Sequence, residues 1–120
     1  MRRRLLTLVC VTGVMMVAAP GEGADPNVGR GKATYGELCA KCHGAGGKGD
    51  GKEAATLTTK PKDFTDCARM AKSTDEQLFK IVKGGGVAAD LSKDMPPYGD
   101  ALEDDEIRDT IAFIRSLCPR

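Results

Sequence analysis

The stretch Cys39-Ala40-Lys41-Cys42-His43 decides the interpretation of this 120-residue chain, and it contains the chain's only histidine. Two cysteines separated by two residues can each form a thioether with one vinyl group of a haem. The histidine that follows is then held beneath the porphyrin, where its imidazole can bind the iron. The spacing therefore predicts one haem c, attached through Cys39 and Cys42, with His43 as an iron ligand.

Two other kinds of site use a similar spacing. A thioredoxin-like thiol pair needs a βαβ context, and no β-branched run precedes Cys39. A zinc site needs four protein ligands, and beyond the pentapeptide Cys67 and Cys118 are the remaining candidates. Haem attachment is favoured over both alternatives.

The N-terminus has the pattern of a secretory signal. Residues 2–4 are three arginines, and residues 5–19 form an apolar run that is too short for a comfortable transmembrane helix. We expect cleavage between about residues 19 and 24, which leaves residues 25–120 as one domain and removes Cys10 with the signal peptide (1–24). An uncleaved anchor is the alternative.

Composition and export limit the function. Removing the signal takes away three arginines and one glutamate, so 18 − 3 = 15 basic and 17 − 1 = 16 acidic side chains remain, a net charge of −1. This balance argues against a nucleic-acid partner. Domains of fewer than about a hundred residues bury little apolar surface unaided, and a haem would supply the missing core. Bacterial c-type haem is attached outside the cytoplasm, so we expect a periplasmic location.

The remaining sequence predicts helices and no convincing strand, hence an all-α domain. A first helix is expected over residues 28–40, a second from a Thr74 cap to Gly84, and a third over residues 104–117. Residues 63–70 are expected to form a turn or short helix. The inward residues of the last helix are expected to be Ile107, Ile111, Phe113 and Ile114.

The glycine-rich segment 44–52 contains G-x-G-x-x-G and comes close to a P-loop. A dinucleotide fingerprint must follow a strand, and a P-loop needs Ser or Thr where Glu53 stands. We therefore interpret the segment as a flexible, turn-rich loop along the edge of the haem.

Met95, in Asp94-Met95-Pro96-Pro97, is the expected sixth iron ligand, since the two prolines stiffen its loop. Met70 is the alternative and is expected to be a core residue. His/Met ligation leaves no open site for a substrate, which favours an electron carrier over a haem peroxidase or gas sensor. Cys67 and Cys118 are expected to form a disulfide in an oxidising compartment, with free buried thiols as the alternative.

Over residues 27–118 the chain resembles the small monohaem class I cytochromes c. The resemblance is carried by Gly31-x-x-x-Tyr35-x-x-x-Cys39-x-x-Cys42-His43, by Met95-Pro96-Pro97 and by Ala112-Phe113-Ile114-Arg115. It implies a cytochrome c-like fold, with three or more helices and long loops around one haem. It also implies that Gly31 and Tyr35 pack against Phe113.

The chain departs from this family at three places. Thr110 stands where an apolar residue is usual, and Glu103 replaces the usual Ser or Thr cap. The family also uses a backbone carbonyl near a proline to accept the histidine Nδ1–H bond. Pro61 is the nearest proline after His43, at an unusually long spacing.

The expected function is a soluble, exported one-electron shuttle, not an enzyme, which docks transiently on protein redox partners and is a monomer. Five lysines could form a positive ring around the haem edge, or could simply be solvated: Lys41, Lys48, Lys52, Lys60 and Lys62. The alternatives are a haem subunit of a dehydrogenase or oxidase complex, and a haem peroxidase or gas sensor.

Overall fold

A computed structural model describes residues 24–118, and this part of the chain is helical and contains no strand. The predicted all-α class is therefore confirmed. The α-helices are α1 (Val28–Leu38), α2 (Ala40–His43), α3 (Cys67–Met70), α4 (Asp75–Gly84) and α5 (Asp104–Ser116), with short 3-10 turns at Ala54–Thr56 and Gly86–Ala89. The expected signal peptide and Cys10 lie outside the described residues.

The long helices begin where their caps satisfy free N–H groups. The Asn27 side chain accepts a hydrogen bond from the Arg30 N–H at 2.9 Å and starts α1. Thr74 and Gln77 form the expected capping box of α4, with distances of 3.2 and 2.8 Å. Helix α5 has Glu103 at its N-cap position, and the Glu106 carboxylate accepts a hydrogen bond from the Glu103 N–H at 2.9 Å.

Helices α1 and α5 cross at Gly31. A Cβ atom at this position would overlap the backbone carbonyl of Asp109, so only glycine allows the two backbones to approach this closely. One turn further along α1, the Tyr35 and Phe113 rings lie 5.0 Å apart between centroids. The contact implied by the resemblance is thus present, and it packs α1 on α5 one turn before the Cys39 motif.

Two polar residues of α5 are buried at this crossing, and both are satisfied. The Thr110 hydroxyl donates to the Glu106 carbonyl at 2.8 Å, so the polar residue at a usually apolar position leaves no group unpaired. Asp109 accepts hydrogen bonds from the Asn27 N–H (2.6 Å) and the Arg30 guanidinium. Burial alone would raise the pKa of Asp109, but these donors outweigh it and hold the pKa below its ordinary value.

The other end of α5 joins the middle of the chain. The Arg115 guanidinium donates to the Met70 carbonyl at 2.8 Å and to the Asp75 carboxylate at 2.8 Å. The Cys67 and Cys118 sulfurs lie at bonding distance, with their Cα atoms 5.4 Å apart. The described helices are all too short or too polar to cross a lipid bilayer.

Candidate functional site

A cavity of about 620 Å³ lies between the Cys39–His43 segment, the loop after it, α4 and the Met95 loop. It is in the size range of small-molecule and cofactor sites. Much of its wall is apolar, and this part is supplied by Leu38, Leu57, Leu78, Ile81, Val82 and Ile114. Cys39, Cys42, His43 and Met95 also line it, so the structure brings all four sequence-predicted site residues to one cavity.

The two motif cysteines are free thiols, Cys39 at the N-cap of α2 and Cys42 within α2. Burial, and to a lesser extent the neighbouring Cys42, raise the pKa of Cys39 to about 11. Burial also raises the pKa of Cys42, as does the Glu53 carboxylate 3.8 Å from its sulfur. Thioredoxin-like pairs need a lowered thiol pKa, so these values, together with the helical surroundings, argue against that alternative.

His43 is oriented by two contacts from the segment after Pro61. Its Nδ1 lies 3.1 Å from the Lys62 carbonyl oxygen, which can only accept, so Nδ1 carries the proton and Nε2 is left with a free lone pair. Its ring stacks on Phe64, with centroids 4.4 Å apart and an interplanar angle of 17°. Burial lowers the pKa of His43, which favours the neutral imidazole that a metal requires.

The Met95 loop is held by the C-terminal end of α4 and by the 3-10 turn that follows it. The Gly86 N–H donates to the Met95 carbonyl at 2.9 Å, and the Tyr98 N–H donates to the Val82 carbonyl at 3.0 Å. Gly85 has a φ of +75° and lies against the backbone of this loop, so a side chain there would be strained. Met70, in contrast, is 2% exposed in the core and does not line the cavity.

The glycine-rich loop is tied to the motif, which differs from the flexible loop expected from the sequence. The Gly49 N–H donates to the His43 carbonyl at 2.8 Å, and the Gly51 N–H donates to the Cys42 carbonyl at 3.1 Å. A P-loop leaves such N–H groups free for phosphate. Here they are used by the protein itself, so the nucleotide-binding motifs are false matches.

The charges around the cavity are mixed. Lys41, Lys60 and Lys62 line it, whereas Lys48 and Lys52 do not. Its wall also carries acidic side chains from Glu53, Asp63, Asp66 and Asp94. The five lysines therefore do not form a complete positive ring around this cavity.

Sequence reasoning missed two residues that shape the site. Phe64 was not singled out, although it is the aromatic residue nearest to Pro61 in the sequence. Tyr98, which directly follows the two prolines, was not assigned a role, yet its hydroxyl donates to the Leu38 carbonyl at 3.1 Å and joins the Met95 loop to α1. An aromatic residue within three residues of a proline was the available signal for both.

The donor set fits a covalently attached haem. Two free thiols at the required spacing, a neutral imidazole and a thioether all border one apolar cavity. Within residues 24–118 no group of three or more His, Cys, Asp or Glu side chains is arranged to hold a metal ion. This finding, together with the Cys67–Cys118 contact, gives the zinc alternative no support.

Comparisons with known proteins agree with this interpretation. Residues 26–114 match the sequence family described as "Cytochrome C oxidase, cbb3-type, subunit III". The c-type cytochrome KustC0563 has a similar fold, with a TM-score of 0.60 and 22% identity over 74% of this chain and 98% of that one.

A second similar structure is a chain of the reducing HAO-like protein complex Kustc0457/Kustc0458 of Kuenenia stuttgartiensis. It has a TM-score of 0.66 and 27% identity over 89% of this chain. The present chain spans about half of that chain's length, 50%. No curated protein sequence matches.

Proposed function

The chain belongs to the c-type cytochromes, a family of haem-bearing electron-transfer proteins, and we propose that it is a periplasmic one-electron carrier with a single haem c ligated by His43 and Met95. Cys39 and Cys42 hold the haem through two thioethers. The protein acts as a transient partner of other redox proteins and not as an enzyme.

The observation that carries this proposal is the common cavity of the motif and one methionine. Of the two methionines in the described residues, Met95 lines the cavity and Met70 lies in the core. The haem, when bound, supplies the one-electron chemistry. His43 presents Nε2 from a ring fixed by Lys62 and Phe64, and the Met95 loop presents its thioether from a backbone fixed by α4.

A filled sixth position distinguishes a carrier from a peroxidase or gas sensor, because no exchangeable site is left for a substrate. The apolar wall supports the same role, since apolar side chains keep water away from the iron and lower the local dielectric constant. We further propose that Cys67 and Cys118 form a disulfide, which fits export to an oxidising compartment.

The test uses absorption spectra of the exported holoprotein in both oxidation states. We expect a low-spin spectrum, with the weak sulfur-to-iron charge-transfer band in the ferric form. Met95→Ala should remove this band, and Met70→Leu is the matched control, because it replaces the other methionine with a side chain of similar volume. Loss of the band in Met70→Leu but not in Met95→Ala would transfer the ligand assignment to Met70.

Two further outcomes would contradict the proposal. A high-spin wild-type spectrum, with ready binding of cyanide or carbon monoxide, would favour the enzyme or sensor alternative. A protein that releases its haem under denaturing conditions would show that Cys39 and Cys42 do not form thioethers.

A second candidate is a haem subunit of a larger redox complex. It is favoured by the family description, which names an oxidase subunit, and by the similar chain of the HAO-like complex, of which this chain spans half. Stable co-purification of the native protein with other polypeptides would support this candidate. A carrier should elute alone, because transient redox interfaces are small and release quickly.

A further inference from the structure

The segment from Pro61 to Cys67 supplies both contacts that orient His43. Its Lys62 carbonyl lies 3.1 Å from Nδ1, and its Phe64 ring stacks on the imidazole at 4.4 Å. Residues 57–66 contain no helix, so no helical hydrogen-bond ladder holds this segment in place. Its position depends on anchors elsewhere in the protein.

Two contacts with other parts of the protein anchor the segment. The Phe64 N–H donates to the Gly47 carbonyl at 2.6 Å, which ties the segment to the glycine-rich loop. On the other side Cys67 is joined to Cys118, and the Cys118 sulfur lies 3.2 Å from the Phe64 carbonyl oxygen. Cys118 lies two residues after the end of α5. The link therefore connects the segment to the end of the helix that packs on α1.

We infer that the Cys67–Cys118 link is a positioning device for the iron ligand: through Lys62 and Phe64 it fixes the His43 imidazole and thereby helps to set the reduction potential of the haem. This inference rests on the proposed function. It assigns the two cysteines a role in tuning the site in addition to any role in stability.

The direction of the effect follows from the Nδ1–H hydrogen bond. A carbonyl that accepts this bond makes the imidazole a stronger donor to the metal, and a stronger donor favours the more highly charged ferric state. Without the link, the Lys62 carbonyl is held less firmly and the bond weakens. The haem should then be easier to reduce.

The experiment compares wild-type holoprotein with the double variant Cys67→Ser/Cys118→Ser. Solvent exchange of the His43 Nδ1 proton is measured by NMR in the ferrous form. The exchange should become roughly tenfold faster, because it requires local opening of the Pro61–Cys67 segment and the loss of the link makes this opening more frequent. At a fixed ambient potential, the ferrous-to-ferric ratio should rise roughly threefold, which is about 28 mV for one electron. Thr74→Ala, which removes the N-terminal cap of α4 and leaves the Pro61–Cys67 segment unchanged, is the control for general destabilisation.

If the double variant does not fold, the exchange measurement is made on wild-type holoprotein treated with a dithiol. The dithiol gives two electrons and two protons to the Cys67–Cys118 bond, which becomes two thiols, and is itself oxidised to a cyclic disulfide; the thioethers are not reduced. Faster exchange after this treatment supports the inference.

Unchanged exchange and an unchanged ratio, in a variant with a native low-spin spectrum, would overturn the inference and leave the proposed function intact. Equal changes in Thr74→Ala would also overturn it, since they would indicate general loosening. A wild-type protein without a histidine-ligated haem would remove the proposed function, and the inference with it.

Discussion

Replacing Gly31 by alanine should destabilise the protein by about 2 kcal/mol. Two effects oppose each other. Alanine gains about 1 kcal/mol over glycine inside a helix, while the new Cβ overlaps the Asp109 carbonyl and forces α1 and α5 apart. Overpacking of this kind costs about 1–3 kcal/mol, and the upper end applies because the atom it meets belongs to a helix backbone and cannot rotate away.

The same helix provides a matched control. Gly36 is exposed in α1, and a Cβ there would have no atom within 4 Å, so Gly36→Ala should stabilise the protein by about 0.5–1 kcal/mol. Thermal unfolding of the holoprotein, followed by far-UV circular dichroism, measures both changes. For a domain of this size, the melting temperature should fall by about 8–16 °C in Gly31→Ala and rise by about 2–8 °C in Gly36→Ala. Equal, favourable effects of both substitutions would refute the close-crossing argument.

Three other substitutions test other contacts. Asp109→Asn should destabilise the protein near neutral pH. Because the pKa of Asp109 is lowered in the folded state, the difference in unfolding free energy from wild type should shrink as the pH falls through about 4 and below. A difference that stays constant over this acid range would contradict the prediction. Tyr35→Phe removes the hydroxyl that donates to the buried Gly44 carbonyl at 2.7 Å and leaves that carbonyl with the Gly47 N–H, at 3.0 Å, as its donor. The substitution should cost about 1 kcal/mol in denaturant unfolding, whereas no loss would show that the hydroxyl adds no stability beyond the Gly47 bond. Replacing both Cys67 and Cys118 by alanine should cost about 4 kcal/mol of loop-closure entropy for a separation of 51 residues, and equal midpoints with and without the bond would exclude the disulfide.

The helices could be predicted closely because local chemistry determines them. Thr74 and Gln77 specify the start of α4, and the apolar spacing of Ile107, Ile111 and Ile114 specifies the buried face of α5. The first helix was expected to continue to residue 40, but it ends at Leu38 and a separate turn, α2, carries the motif. The break falls at Cys39, whose backbone φ of −105° departs from the ordinary helical value, and no helix-breaking residue marks it in the sequence.

The site could be predicted only in part. The spacing of Cys39, Cys42 and His43 reports attachment chemistry directly, since one short segment contains all three. The contacts of His43 with Lys62 and Phe64 depend on how a loop without helix folds back, 19 residues further along the chain in the case of Lys62. The same limit explains why the glycine-rich loop was expected to be flexible: its hydrogen bonds to the motif backbone leave no periodic signal.

Helix α1 separates the segment before Asn27 from the large cavity, and this distance matters for attaching labels to the protein. Its 11 residues span about 16 Å. Pro26, before its first turn, borders a second and smaller cavity beside Phe79 and Arg108, whereas the large cavity begins at Leu38. A purification tag, a fluorophore or an electrode linker attached before Asn27 is therefore held a helix length from Cys39, and should leave electron exchange at the large cavity unobstructed.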